Sequence, residues 1–344
     1  GISTESIAIY TRQLSVLLRS GISLPRALEI VSQGEDDRLN TVFVSTAGDV
    51  ERGKTLSRSM RRFPYAFSAL YLSMIEAAEV SGNLDANLDK LCEVLERTVR
   101  LQKRVQAAFV YPAAISVVAL GVLGIFVYAV LPMVIPIFHG IGIELPLVTR
   151  SVLFFAALAR NPFVVLLVGM IFLASLWLAW SYSRTREGRR VVDGLMLTVP
   201  LFGDLFRKIA VARVLFTLAI LMESGISLGP ALRVAERAAG NFIVERGLFR
   251  AQKLVMEGES VGDALLEIGI FPYGVIKLLM AGEEAGQLPK MMMRASVMYE
   301  EEADLALSTL ATLLEPLALV VVGGIVAFIT VAAFMPTILL MRAL

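Results

Sequence analysis

The segment TRQLSVLLRSG at 11–21 places Leu14, Leu17 and Leu18 at i, i+3 and i+4, the spacing of one apolar helical face. Ser20-Gly21 reads as a helix stop and Ser23 as the N-cap of a second helix, whose inner face is Ala27, Leu28 and Val31. Gly34, Gly53, the Phe63-Pro64 corner and Gly82 then punctuate further short helices. The last, from Leu84 to about Val110, carries Leu84, Leu88, Leu91 and Leu95 at helical spacing and is expected to run on into the apolar stretch that follows. Alternating strand patterns are nearly absent; NTVFVST at 40–46 is the one ambiguous stretch.

Amphipathic periodicity then gives way to three stretches without a charged residue: Pro112 to Phe138, Pro162 to Tyr182 and Pro316 to Met341. Each exceeds the roughly 20 helical residues that cross a bilayer core, so three transmembrane helices are expected. Arg97, Arg100, Lys103 and Arg104 precede the first stretch and Arg184, Arg186, Arg189 and Arg190 follow the second, against Arg150 and Arg160 between them. The positive-inside bias places residues 1–111 and 183–315 in the cytoplasm, with 139–161 and the C-terminus outside. RTVRLQKR at 97–104 and the arginines at 184–190 are read as topology signals that meet anionic lipid heads. The opening GISTESIAIYTRQL lacks the basic-then-apolar layout of a signal peptide.

SGISL occurs at 20–24 and again at 224–228, a displacement of 204. The same displacement relates Glu79-Val-Ser-Gly82-Asn-Leu84 to Glu283-Glu-Ala-Gly286-Gln-Leu288, Pro112 to Pro316 and Pro132 to Pro336. Gly53-Lys-Thr matches Gly258-Glu-Ser at 205, and Phe63-Pro64 resembles Phe271-Pro272 at 208. One unit, a helical bundle followed by a membrane helix, therefore occurs twice, and the middle span returns the chain so that both copies face the same side, as in parallel membrane repeats. The expected fold is an all-α membrane protein: two tandem cytoplasmic helical bundles at 1–111 and 183–315, with transmembrane helices at 112–138, 162–182 and 316–341 and a periplasmic connection at 139–161.

Composition fits that mixture. Hydrophobic residues make up 56% of 344, above the roughly 45–50% of soluble domains, while 18% are charged. Thirty-two basic against 31 acidic residues give no footprint for nucleic acid. One cysteine, Cys92, excludes a disulfide framework within the chain and leaves too few thiolates for a structural zinc site, and one histidine, His139, makes His-based triads or multi-histidine metal sites hard to build. GDVERGKT at 48–55 fits the phosphate-loop pattern letter for letter. No strand ending in an acidic Mg²⁺ ligand follows it, and the second copy, KLVMEGES, lacks the lysine, so Gly53 is read as ending one helix and Thr55 as capping the next.

TRQLSVLLRSGISL and FTLAILMESGISL, EVSGNL and EEAGQL, the YP and EP pairs that open the first and last spans, and ELPLVTR at 144–150 together resemble the inner-membrane platform family of type II secretion and type IV pilus machines, over essentially the whole chain. The resemblance implies a non-enzymatic assembly protein without cofactors. A hexameric cytoplasmic ATPase would engage its cytoplasmic domains, pilin or pseudopilin subunits would be moved through the bilayer beside it, and other inner-membrane assembly proteins and further copies of itself would surround it. Many members carry an extra N-terminal segment before the first repeat, so this chain is read as a short or trimmed member.

Candidate assembly residues are Glu79, Gly82, Glu283, Gly286 and Glu315: Glu79 and Glu283 either orient the tight Gly turns through backbone N–H groups or face a partner, and Glu315, before Pro316, either contacts a pilin N-terminus or the ATPase or simply snorkels or caps. Pro112, Pro132, Pro316 and Pro336 are read as shaping the membrane helices, with Pro132 and Pro336 kinking their spans alike. Glu79, Asp85 and Asp89 form a weak oxygen-ligand set for a divalent cation. The rival reading is a transporter or channel subunit, but none of the three stretches contains Asp, Glu, Lys, Arg or His, the usual marks of an ion or proton path.

Overall fold

The computed structural model describes residues 2–125, 128–129, 154, 158, 161–183, 185–199 and 202–343. Among them, every extended element is a helix: α1 Thr4–Arg19, α2 Leu24–Val31, α3 Asp37–Glu51, α4 Leu56–Met60, α5 Ala69–Ser81, α6 Leu84–Ile125, α7 Pro162–Ser183, α8 Arg186–Thr198, α9 Phe202–Glu223, α10 Leu228–Ala238, α11 Phe242–Met256, α12 Val261–Leu266, α13 Tyr273–Glu284 and α14 Leu288–Ala343. The ambiguous NTVFVST lies inside α3. Asp36 starts that helix by accepting the N–H groups of Arg38 and Leu39, and the buried Leu39, Val42, Phe43, Thr46 and Ala47 follow helical spacing.

The duplication is visible helix by helix. The starts of α2, α5 and α6 lie 204 residues before those of α10, α13 and α14, and those of α3 and α4 lie 205 before α11 and α12. SGISL now has a physical meaning. Gly21 and Gly225 adopt φ +81° and +86°, a left-handed conformation that side chains resist. The Ile22 N–H bonds to the Leu17 carbonyl at 3.1 Å and the Ile226 N–H to the Leu221 carbonyl at 3.0 Å, the paired closure of a Schellman stop. Both isoleucines pack on the core, and Ser23 and Ser227 occupy the N-cap positions of the next helices. The motif is one helix end plus the following helix start.

One correspondence is corrected. Phe67 and Phe271, each buried directly before the N-cap of α5 or α13, are equivalent at displacement 204. Phe63-Pro64 sits in the turn after α4, so its likeness to Phe271-Pro272 at 208 is one of letters only.

Two compact units divide the chain. The first comprises Gly1–Arg104 and Arg189–Ala306, so the helices of both repeats build one body; the second comprises Val105–Gly188 and Leu307–Leu344. In the first unit, α5 packs against α9 and α10 of the other repeat. The repeat 1 core centres on Leu14, Leu28, Phe43, Met60, Tyr71 and Leu88, and the repeat 2 core on Leu215, Leu232, Leu248, Leu265 and Leu279. An aromatic row runs through repeat 1, with ring centroids 5.5 Å apart for Tyr10–Phe43, 6.1 Å for Phe43–Phe67 and 4.7 Å for Phe67–Tyr71. At displacements of 204 or 205, repeat 2 holds Val214, Leu248 and Val275 where repeat 1 holds Tyr10, Phe43 and Tyr71.

In the second unit, α7 alone among the described residues is long and apolar enough to cross a membrane, with mean hydropathy 2.5. Phe163, Leu166 and Trp177 on it are exposed, whereas a soluble core helix would bury such side chains. The first expected span passes out of the described residues after Ile125, and the third is represented by the apolar segment Pro316–Phe328 of α14. The described residues thus contain one complete span of the three expected. Helix α6 continues through Pro112, and α14 through Pro316 and Pro336, without a break. Pro132 and nearly all of the 139–161 connection lie outside the described residues.

Candidate functional site

Gly82 ends α5 with φ +71° and Gly286 takes φ +64° after α13, so both candidate glycines occupy the left-handed turn that their place in the sequence demands. The glutamates beside them reach elsewhere. Glu79 accepts the N–H groups of Leu56 and Ser57, the latter at 3.0 Å, together with the Ser57 hydroxyl. Glu283 accepts the Val261 N–H at 2.9 Å. Each carboxylate thus caps the first turn of a short helix, α4 or α12, 22 or 23 residues upstream, in place of its own turn. A helix of five or six residues cannot sustain itself, and a carboxylate at its N-terminus meets both the unpaired N–H groups and the positive end of the dipole. Thr55 and Ser260 add the local cap, accepting from the Arg58 and Asp263 N–H groups.

The oxygen-ligand set does not assemble around one point. Glu79 is engaged with α4, while Asp89 accepts from the Ser15 hydroxyl at 2.5 Å and pairs with Arg19 at 2.7 Å and Arg12 at 3.6 Å. No group of three or more His, Cys, Asp or Glu among the described residues is placed to hold a metal ion. The side chains of Pro112, Glu315 and Pro336 lie outside the described ones; Pro316 is exposed.

The phosphate-loop string resolves into helix punctuation. Gly48 lies within α3, Gly53 takes φ +84° after it, and the Lys54 N–H closes the helix end on the Asp49 carbonyl at 3.1 Å. The Lys54 ammonium donates to the Asp49 carboxylate at 2.9 Å, joined there by Arg52 and Arg62. This buried carboxylate with three cations around it was not legible in the sequence, because Arg62 comes from beyond α4.

Arg52 and then Lys54 hold Asp49 well below the usual carboxylate range, and the Ser15 hydroxyl followed by Arg19 lowers Asp89. Carboxylates lowered by folding add stability that is complete above their unfolded values near 4 and is lost as pH falls through the folded ones. Repeat 2 has Leu254 and Met293 at the matching positions. There, burial and then the Glu245 charge raise Glu236, so acidification relieves a strain. On acid titration of the full chain in detergent, α1, α3 and α4 should therefore lose hydrogen-exchange protection, corrected for intrinsic rates, at a higher pH than α9, α11 and α12. Simultaneous loss, or the reverse order, would refute this.

The two repeats meet across an ionic seam. Arg97, with a side chain 16% exposed, pairs with Glu300 and lies 4.3 Å from the Phe216 ring centroid. Arg104 pairs with Asp304, and Lys90 donates at 3.0 Å to the Glu223 carbonyl at the end of α9. Lys103 meets Glu5 at 2.6 Å and Arg100 meets Glu96 at 3.8 Å. Each cation of the run at 97–104 thus has a carboxylate within the chain, although Arg100, Lys103 and Arg104 stay more than half exposed. Charge also distinguishes matching corners. At displacement 205, Arg52, Lys54, Arg58 and Arg62 of repeat 1 correspond to Glu257, Glu259, Asp263 and Glu267 of repeat 2, all exposed.

A family model described as type II secretion system (T2SS), protein F, matches residues 10–132 and again 214–336, displaced by 204 at both ends. The chain belongs to the type II secretion system protein F family. It is 35% identical over 341 residues to a type IV pilus assembly protein PilC of Thermus thermophilus, covering 98% of this chain and 82% of that one. It is 32% identical over 340 residues to a type II secretion system protein F of Vibrio cholerae, with the same coverages. A PilC of Pseudomonas aeruginosa is 30% identical over 336 residues, covering 97% and 90%. Relatives named for type IV pilus assembly and for type II secretion alike match nearly the full length of the chain.

Proposed function

We propose that this chain is a polytopic inner-membrane platform protein that couples a cytoplasmic hexameric ATPase to the insertion or extraction of pilin or pseudopilin subunits. The observation that carries the reading is the repetition itself: five helix starts recur in the same order at displacement 204 or 205, and both sets build one body. On this reading, three spans at 112–138, 162–182 and 316–341 anchor that body on the cytoplasmic side, with 139–161 and the C-terminus in the periplasm. Glu79, Gly82, Glu283 and Gly286 act as structural posts, fixing the short helices α4 and α12 at the corners offered to a partner, and Glu315 lies at the cytoplasmic edge of the third span.

The test is copurification from the native membrane with the tagged full chain. The expected result is retention of an ATP-hydrolysing cytoplasmic hexamer and pilin-like subunits, weakened by deletion of residues 1–108 or 183–312. Cysteine-accessibility tags at Arg97 and Arg189 should both report the cytoplasmic face. Tags on opposite faces, or a solute-flux defect on deletion with no loss of pili or export, would overturn the reading in favour of a transporter.

A further inference from the structure

A pocket of about 350 Å³ in the first unit is lined by Arg190 of α8, Phe242, Ile243, Arg246 and Arg250 of α11, and Glu267 just after α12. Unlike the cations of the 97–104 run, none of these three arginines forms an ion pair among the described residues. Arg246 and Arg250 stand one turn apart on the same face of α11, and like charges at that spacing repel. Arg190 brings a third positive charge to the same space.

The arrangement is held in place. The Asp193 carboxylate accepts the Phe242 N–H at 2.7 Å, and the Asn241 amide donates to the Asp193 carbonyl at 3.3 Å, so α8 is fastened to the first turn of α11. Arg190 lies three residues before Asp193, on the same side of α8. Gly247, between the two arginines of α11, permits close approach: a Cβ there would sit 2.3 Å from Ile268 Cγ2. Phe242, Ile243 and Ile268 supply an apolar wall. The pocket belongs to repeat 2 alone, since Thr41 and Ser45 of repeat 1 match Arg246 and Arg250 at displacement 205.

We propose that this pocket binds the phosphate group of a small phosphate ester, either the headgroup of an anionic phospholipid or a soluble phosphate monoester. Guanidinium forks match phosphate oxygens in pairs and remain charged at all relevant pH. Three of them around one concavity form an incomplete cation cluster that a phosphate completes, while the apolar wall accommodates the ester's carbon skeleton. Glu267 opposes the ligand's charge and sets the affinity below what the arginines alone would give. The proposal is independent of the platform reading.

The experiment is thermal unfolding of the full chain in neutral detergent, titrated with short-chain phosphatidylglycerol in one arm and glycerol 3-phosphate in the other. Short-chain phosphatidylcholine and sodium chloride of matched ionic strength serve as controls. A ligand that binds only the folded state raises Tm saturably. Arg246→Gln/Arg250→Gln should weaken half-saturation by about tenfold or more, since each charge-assisted bond lost is worth at least that factor. Glu267→Gln should strengthen it, and Arg38→Gln/Arg294→Gln, elsewhere on the surface, should leave it unchanged. A response to phosphatidylglycerol alone identifies the lipid source, and a response to glycerol 3-phosphate identifies the soluble one. The proposal falls if neither arm saturates, or if the arginine pair and the control pair respond alike. Because all four arginines are exposed, the variants should fold; mass spectrometry of the intact complex, counting retained phosphate ligands, checks the same point without melting.

Discussion

Replacement of Glu79 by alanine should accelerate amide exchange at Leu56 and Ser57 by about 30- to 150-fold, the equivalent of about 2–3 kcal/mol of local stability. Three donors lose their acceptor together: two helix N-terminal N–H groups and the Ser57 hydroxyl. With five residues, α4 has no internal reserve once its first turn is orphaned. Glu283→Ala removes one such bond and should cost about 1 kcal/mol at Val261. Native-state hydrogen exchange of the full chain in detergent measures both. Equal effects in the two repeats, or no effect at Glu79, would show that these carboxylates do not carry the short helices.

Arg97→Ala should weaken the seam between the repeats by about 3 kcal/mol, because it strips a largely buried carboxylate of its partner and removes the cation from the Phe216 face. The loss should appear as faster exchange in α5 and α10, where the repeats pack, rather than in the interior of either repeat core. A double-mutant cycle with Glu300→Ala separates the pair from general disruption: a coupling of about 2 kcal/mol is expected, and strictly additive losses would mean that the contact does not hold the repeats together.

The legibility of this chain followed the range of each interaction. Helix ends written in neighbouring residues were readable: the Schellman stops at Gly21 and Gly225, the Thr55 cap, and the buried face Ala27, Leu28 and Val31. Repetition was readable too, because an internal copy supplies its own comparison, and only the loop register around Phe63 misled. What escaped was every partnership formed across the fold. Glu79 stands beside Gly82 in sequence, so its carboxylate invited assignment to that turn, whereas α5 carries it back onto α4. The ion pairs of Arg97 and Arg104 could not be foreseen, because their partners Glu300 and Asp304 stand some 200 residues away. The arginine pocket needs α8 fastened beside α11, a placement that no local pattern encodes.

The seam also makes the two halves unequal partners. Asp304, which receives Arg104, stands 204 residues after Arg100, and Phe216, the ring that Arg97 faces, stands 204 residues after Arg12, whereas Glu300 stands 204 residues after another glutamate, Glu96. Two copies of the first half set against each other would therefore keep a glutamate opposite Arg97 but confront Arg104 with Arg100 and Arg97 with Arg12, where the natural pairing has an ion pair and a stacked ring. The two halves of the duplication are thus no longer interchangeable at this seam, where each fits the other better than a copy of itself.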